Sequence, residues 1–201
     1  MGEVTFTSRI NFVSQSAYKK VVKEGDKYIP FHIYGWGKYS EVADSFHTEE
    51  VRTCAAGGIK GKKKSLGLHV RDSKVNLDNI KNIYNSFKQD LGEKPERGLL
   101  IGGKELWNSG YSLPVFKELK SLFTKDTNKV SIFQTHTNKG AESNIHYSAK
   151  TDTWTINTQI FNNETGSNED VLTKDRLKNA FKKIVIADGD TLCINGKEIS
   201  L

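Results

Sequence analysis

The amino-acid sequence predicts an α+β fold in which helices flank a layered β-sandwich of mixed sheets. Segments with strand character occur both before and after two segments with helical periodicity, whereas a doubly wound sheet would alternate them strictly. The 201 residues suffice for a substantial hydrophobic core, and no linker rich in Pro, Gly or Ser divides them. We therefore expect a single domain over residues 1–201.

Two helices carry the clearest periodicity. The first is predicted over 77–91, with Asn76 as its N-cap and apolar side chains at helical spacing. Ser112 is the expected N-cap of the second, and Pro114 is tolerated in its first turn. A third, shorter helix is predicted around Leu177.

Strands are predicted where β-branched, aromatic or small apolar residues cluster. The run 98–103, closed by two glycines, suits a strand buried on both faces. Segment 154–160 alternates in polarity and is expected at a sheet edge, while 184–186 and 192–194 are expected to form a hairpin. The remaining predicted strands are 28–34, 51–59, 65–71 and 130–135.

The charge balance favours acidic partners. The chain has 30 basic and 24 acidic residues and a formal charge of +6, which suits nucleic acid, anionic lipid or an acidic protein surface. No apolar run approaches the ~20 residues that span a bilayer, and no conventional signal peptide is visible. Two cysteines are too few for a disulfide framework, which favours a reducing compartment.

No cofactor is expected. The glycines fit neither the phosphate-loop nor the dinucleotide spacing. The five histidines include no pair at the four-residue helical step, and Cys54 has no nearby second cysteine, so the spacing predicts no metal. His136 and His146 would meet if their strands formed a hairpin, although two polar residues on a half-exposed sheet is the more ordinary interpretation. The histidines are His32, His47, His69, His136 and His146.

Cys54 and His69 are the candidate catalytic pair. If 51–59 and 65–71 are adjacent strands, the two side chains face each other across them. A cysteine beside an imidazole ionises below its free pKa of about 8.5, and the thiolate is a nucleophile. The small residues that follow leave the amides of Cys54 and Ala55 free to form an oxyanion hole. The alternative is a buried structural cysteine beside a strand histidine.

The spacing of three residues resembles a known family. Thr48 stands six positions before Cys54, and His69 follows it by fifteen. This pattern resembles the cysteine-dependent protein glutamine deamidases, which include the chemotaxis receptor deamidase CheD, cytotoxic necrotizing factor and Burkholderia lethal factor. The likeness continues through the helix at 77–91 and the glycine-closed strand at 97–103. The resemblance as a whole covers roughly the middle third of the chain.

The resemblance implies a fold like that of these enzymes and a role for each residue. Cys54 would attack the carboxamide carbon of a substrate glutamine, His69 would act as base and acid, and Thr48 would orient the imidazole. The product would be glutamate and ammonia. The chain departs from the family pattern directly before the cysteine, where Arg52 and Thr53 replace the usual Gly or Ser.

The resemblance also implies a partner and a setting. The substrate would be a host regulatory protein, such as a small GTPase or a translation factor. The chain would be a secreted or translocated bacterial toxin or effector that acts in the target-cell cytosol as a monomer. Two alternatives stay open: another Cys-His enzyme, namely a protease, transglutaminase or acyltransferase, and a basic nucleic-acid-binding module. The latter is disfavoured because aromatic residues are not interleaved with Lys and Arg.

Further residues are candidate substrate contacts. Lys62, Lys63 and Lys64 are expected in a turn that overhangs Cys54 and steers an acidic protein toward it, unless they form only a solvated hairpin tip. Trp36 and Trp107 are candidates for lining a glutamine-sized entrance, although core or rim packing is their ordinary role.

Overall fold

The structure, a computed structural model, describes six ranges of the chain. They are 8–24, 28–30, 36–38, 45–104, 110–136 and 141–201, with only the backbone described for 28–30 and 36–38. Within these ranges two mixed β-sheets and four helices form a layered α+β fold, which confirms the predicted fold class.

The described residues contain fourteen strands and four helices. The strands are β1 (Arg9–Phe12), β2 (Tyr28–Pro30), β3 (Trp36–Lys38), β4 (Ser45–Val51), β5 (Ala55–Lys60), β6 (Ser65–Val70), β7 (Arg97–Gly102), β8 (Val130–Thr135), β9 (Glu142–Ser148), β10 (Thr153–Asn162), β11 (Ser167–Asp170), β12 (Phe181–Val185), β13 (Thr191–Ile194) and β14 (Lys197–Glu198). The helices are α1 (Gln15–Glu24), α2 (Lys74–Leu91), α3 (Ser112–Asp126) and α4 (Lys174–Ala180). None of these four helices is long and apolar enough to cross a membrane.

The strands divide into two sheets. In the described chain, the eight-stranded sheet has the order β14-β13-β1-β10-β9-β4-β2, with β11 paired to β10. The six-stranded sheet has the order β12-β8-β7-β5-β6-β3. Both are mixed, because β1 is parallel to β10 and β13, β2 to β4, and β7 to β8, whereas the other pairs are antiparallel.

Two apolar cores hold the layers together. The first lies between the sheets and contains Phe12 and Trp154 from one sheet with Leu99 and Phe133 from the other. The second lies between the opposite face of the six-stranded sheet and helices α2 and α3, as contacts such as that of Tyr84 with Phe123 show. Because side chains alternate along a strand, β7 is buried on both faces and supplies both cores, as its apolar run predicts.

The three predicted helices are observed, although α2 and α3 begin differently from the predictions, and helix α1 was not predicted. Helix α2 begins earlier than expected, because Ser73, and not Asn76, is its N-cap and accepts a hydrogen bond from the Asn76 amide at 3.1 Å. It ends at Gly92, whose φ of 70° is the left-handed conformation that favours glycine. Ser112 is the first residue of α3 and not its cap.

Three strand predictions are wrong. Segment 51–59 is not one strand, because β4 ends at Val51 and β5 begins at Ala55 in the other sheet. Segments 184–186 and 192–194 form no hairpin, because β12 and β13 belong to different sheets. Segment 154–160 lies in β10, which is central between β1 and β9. Of the predicted strand 28–34, Tyr28–Pro30 is observed and the rest lies outside the described residues.

Candidate active site

Cys54 lies where the chain crosses from one sheet to the other. Before the crossing, the pairing of β4 with β9 shifts register between Thr48 and Val51, which is a β-bulge. Glu50 has a φ of 59° within this bulge, and its amide donates to Asn144 Oδ1 at 3.0 Å. A left-handed glutamate is strained, and such strain is common beside functional sites. The bulge therefore ends β4 and directs the turn that carries Cys54.

The Cys54 side chain points into the space between the sheets. It belongs to the inter-sheet core together with Ala56, whereas Ala55 belongs to the core beneath the helices. Only 6% of Cys54 is exposed. The backbone of β7 passes directly against it, because a Cβ on Gly102 would collide with the Cys54 carbonyl oxygen. Glycine at 102, with a φ of 128°, is therefore required by this approach.

His69 occupies the same side of the six-stranded sheet. It pairs directly with Ala56 across β5 and β6, so the two side chains share a face, and Cys54 is two positions before Ala56. The imidazole extends toward β4, where its Nδ1 lies 2.7 Å from Thr48 Oγ1. Thr48 and His69 are both buried, with 4% and 1% exposed. The structure thus places Thr48 and His69 in contact, and Cys54 faces the same space between the sheets.

The second imidazole nitrogen of His69, Nε2, has no hydrogen-bond partner among the described residues. His69 Nε2 is buried and makes no hydrogen bond with any described residue, Cys54 Sγ included. A buried polar atom without a partner is costly and is uncommon in native proteins. Since Nδ1 is engaged by Thr48, Nε2 is the imidazole atom left to act on a bound molecule.

The environment keeps both groups neutral. Burial lowers the pKa of His69 to about 4. Burial also raises the pKa of the Cys54 thiol, and the Asp72 carboxylate raises it further. The expectation that His69 holds the cysteine as a resting thiolate is therefore wrong, because desolvation outweighs the influence of a neutral imidazole that does not contact the sulfur.

The Cys54 sulfur lies beside Asp72, which follows β6, and beside Thr53, the preceding residue. The Asp72 amide donates a hydrogen bond to Cys54 and lowers its pKa, against the larger effect of burial, and the Thr53 hydroxyl also contacts the sulfur. Thr53 Oγ1 also donates to Asp72 Oδ1 at 2.7 Å. Asp72 directly precedes Ser73, the N-cap of α2, so the sulfur lies near the N-terminus of an 18-residue helix.

The two predicted oxyanion-hole amides differ in position. Ala55 is flanked by Val70 on β6 and by Gly102 on β7, and the amide of a residue paired on both sides ordinarily donates to one of its neighbours. Cys54 precedes the first paired residue of β5. The Cys54 amide is therefore better placed than the Ala55 amide to bind an oxyanion.

The lysine turn lies far from Cys54. Lys60 pairs with Ser65 at one end of the β5–β6 hairpin, and Ala55 pairs with Val70 at the other. With about 3.3 Å per residue, the two ends are roughly 17 Å apart. The expectation that Lys62–Lys64 overhang the cysteine is wrong. Instead, the amides of Lys63 and Lys64 donate to Glu93 Oε1 at 2.8 and 2.9 Å, which orders the turn.

The other predicted residues are placed as follows. Trp36 opens β3 and pairs with Leu68, next to His69 in sequence, but only its backbone is described. Trp107 and His32 lie outside the described residues. His136 and His146 do not meet across a hairpin, because β8 and β9 belong to different sheets.

Several residues near the cysteine escaped the sequence analysis. Arg52 forms an ion pair with Glu142, and Lys104, two residues beyond Gly102, is close enough to Arg52 for their like charges to interact. Burial first, and then Arg52, lowers the pKa of Lys104. Asp72 was missed as well, although its place between the predicted strand and the predicted helix was a usable signal. Charged loop residues carry no spacing that separates them from an ordinary surface.

The residues Thr48, Cys54 and His69 are those that a nucleophilic site would need. Among the described residues, no group of three or more His, Cys, Asp or Glu side chains could hold a metal ion. No protein-family model matches this chain, and no curated protein matches it.

Proposed function

We propose that the chain is a cysteine-dependent protein-glutamine deamidase. One observation carries the proposal: Thr48 Oγ1 holds His69 Nδ1 at 2.7 Å, on the face that Cys54 shares, while His69 Nε2 has no partner among the described residues. A base with one nitrogen fixed and the other free, beside a cysteine, is the arrangement that nucleophilic catalysis requires. The resemblance to the deamidase family in residue type and spacing supports the same reading.

The proposed chemistry uses one tautomer of the His69 imidazole, which the contact with Thr48 accommodates because a hydroxyl can accept as well as donate. When the Thr48 hydroxyl accepts from Nδ1–H, Nε2 carries a lone pair and no proton. A neutral imidazole with a free Nε2 is a general base. Thr48 thus orients His69, and in the tautomer whose Nδ1–H donates to Thr48 the imidazole can remove a proton from the thiol.

The first half of the reaction releases ammonia. As a glutamine carboxamide approaches, the Cys54 proton moves to His69 Nε2, and the sulfur forms a bond to the amide carbon. The Cys54 amide stabilises the oxyanion. The carbon–nitrogen bond then breaks, the imidazolium returns its proton to the departing nitrogen, and ammonia leaves a thioester on Cys54.

The second half restores the enzyme. His69 Nε2 takes a proton from water, the hydroxide attacks the thioester carbon, and the carbon–sulfur bond breaks. The sulfur recovers the proton from the imidazolium. The balance is one carboxamide and one water converted to one carboxylic acid and ammonia, which at neutral pH are carboxylate and ammonium. No oxidant, reductant or cofactor enters.

The substrate and setting extend the proposal. The net charge of +6, together with Lys104 beside Arg52 at the cysteine end, favours a target protein with an acidic surface. By the family resemblance, that target is a regulatory protein of a host cell, such as a small GTPase or a translation factor. The same resemblance supports a translocated bacterial effector as the source of the chain.

The test measures ammonia released from dialysed host-cell lysate, which contains proteins but no free glutamine. Wild type should release ammonia without cutting or cross-linking proteins, and Cys54→Ser should release none. Cys193→Ser is the matched control, because Cys193 is the other buried free cysteine and lies in β13, away from the site. Ammonia release by Cys54→Ser equal to that of wild type would remove the proposal, and cleavage or cross-linking would point to a protease or a transglutaminase.

A further inference from the structure

Three groups around the Cys54 sulfur form a connected cluster. Thr53 Oγ1 donates to Asp72 Oδ1 at 2.7 Å, and both the Thr53 side chain and the Asp72 amide hydrogen-bond to the sulfur. Asp72 follows His69 by three residues, at the point where β6 passes into α2. The cluster therefore ties the sheet-crossing turn to the strand that bears the base.

We propose that Asp72 is a positioning residue that acts through Thr53: the hydrogen bond between their side chains fixes the Cys54 turn beside the strand that carries His69 and holds the Asp72 carboxylate near the sulfur. The catalytic part of this inference rests on the proposed deamidase function. The effect of Asp72 on the thiol does not, because it can be measured on the protein alone.

The chemistry of the cluster supports both parts. The Thr53 bond holds the Asp72 carboxylate near the sulfur, where a negative charge disfavours a thiolate. The Asp72 amide has the opposite effect, because an N–H that points at sulfur favours the thiolate. A substrate that displaces water or draws the Asp72 carboxylate away from the sulfur would leave the hydrogen bond from the Asp72 amide, which favours the thiolate.

Other charged groups face the same region and must be held constant. Arg71, adjacent to Asp72, lowers the pKa of Cys54 through its positive charge. Arg52 precedes the cysteine and pairs with Glu142 of β9, and Lys104 follows β7. His69 contributes no charge at neutral pH, because burial lowers its pKa to about 4. Only Asp72 both raises the thiol pKa and is bonded to the residue before the cysteine.

The test is the pH dependence of Cys54 alkylation by iodoacetamide, followed by peptide mass spectrometry in a Cys193→Ser background. Asp72→Asn keeps an acceptor for Thr53 but removes the charge. We expect the apparent pKa of Cys54 to fall, and alkylation at pH 7 to become roughly tenfold faster. An unchanged alkylation profile in Asp72→Asn would overturn the inference, even if the unfolding temperature fell.

A second pair of variants tests the positioning role without altering the charge. Thr53→Val removes the bond to Asp72, whereas Thr53→Ser retains it. We expect Thr53→Val to lower kcat at least fivefold at unchanged KM, and Thr53→Ser to restore it. Equal kcat in both variants would contradict the positioning role. If no variant or wild type releases ammonia while Asp72→Asn still shifts the alkylation profile, the proposed function fails and the control of the thiol by Asp72 stands.

Discussion

Two buried polar side chains at opposite ends of the sheets, Asp190 and His69, differ in their hydrogen bonding. At the lysine end, the Arg97–Asp190 ion pair is nearly sealed from solvent, with 7% and 2% of the side chains exposed, and the Ser131 hydroxyl donates to the second carboxylate oxygen. At the cysteine end, His69 Nε2 is buried without a partner among the described residues, and Glu50 is left-handed. The carboxylate of Asp190 is therefore partnered on both oxygens, whereas the imidazole of His69 has one nitrogen without a hydrogen-bond partner among the described residues.

The difference distinguishes polar groups that stabilise the fold from a polar group that is available to bind a ligand. At the lysine end, Asp152 also joins the Lys60 ammonium to the Tyr147 hydroxyl, which links the six-stranded sheet to the eight-stranded one. This network joins the two sheets through charged groups that are each partnered. An unpartnered imidazole costs about 1–3 kcal/mol, a cost that a binding site recovers when substrate supplies the missing partner.

The largest expected effect is on activity, at the cysteine end. Cys54→Ala removes the nucleophile, so ammonia release should fall at least about a thousandfold. The free energy of unfolding should change by less than about 2 kcal/mol, because the alanine leaves only a small cavity. Ammonia release and urea denaturation of the two proteins check these values. A thousandfold loss in Cys193→Ala as well would show that the effect is general and not specific to the site.

The largest effect on stability is expected at the lysine end. Asp190→Ala leaves the Arg97 guanidinium buried without its anion, which should lower the free energy of unfolding by about 3–5 kcal/mol. Activity per folded molecule should be unchanged. The matched control is the double variant Arg97→Met with Asp190→Leu, which removes both charges and should recover most of the lost stability. A loss of activity per folded molecule in Asp190→Ala would show that the two ends are not independent.

The pH dependence of stability should report the buried His69. The unfolded histidine has a pKa of 6.5 and the folded one about 4, so the unfolded state binds more protons between these pH values. The free energy of unfolding should therefore fall, by up to about 3 kcal/mol, as pH drops from 6.5 toward 4. His69→Gln should reduce this fall in urea titrations. Some slope should persist, because burial also lowers the pKa of His47.

A smaller effect is expected from the residue that orients the base. Thr48→Val is nearly isosteric and removes the partner of His69 Nδ1, so we expect kcat to fall roughly tenfold, equivalent to about 1.4 kcal/mol. Thr48→Ser keeps the hydroxyl and should stay within threefold of wild type. Steady-state ammonia release measures both. Equal rates for the Val and Ser variants would show that the contact does not contribute to catalysis.

The smallest effect is expected from the lysine turn. Changing Lys62, Lys63 and Lys64 together to Ser should alter the rate less than about twofold at low or high salt, because the turn lies on the opposite end of β5 from Cys54. Initial rates at two ionic strengths decide the matter. A loss confined to low salt would show that these cations steer the substrate from a distance, as the sequence alone suggested.

The sequence predicted those parts of the structure that local pattern determines. Helix α2 follows from its apolar period and from Gly92, and β7 from a short apolar run closed by glycines. Thr48, Cys54 and His69 were singled out by residue type and spacing; the structure brings Thr48 into contact with His69 and places Cys54 on the same face, and their catalytic role stays a prediction.

What the sequence could not predict depends on long-range pairing. Nothing local to 51–59 shows that the chain leaves one sheet at Val51 and enters the other at Ala55, because both halves have strand composition. The bulge depends on the Glu50 amide meeting Asn144, which is distant in sequence. The cluster around the sulfur likewise needs the β6–α2 junction folded against the cysteine turn. Such contacts leave no periodic signal.

The most direct test of the central claim is peptide mass spectrometry of target-cell proteins treated with the enzyme in ¹⁸O-labelled water. If Cys54 forms a thioester that water resolves, a specific glutamine should gain about 3 Da in labelled water and about 1 Da in ordinary water, because the new carboxyl oxygen comes from solvent. Wild type and Cys193→Ser should produce this change, and Cys54→Ser should not. The same labelled glutamate at equal yield with Cys54→Ser would contradict the account.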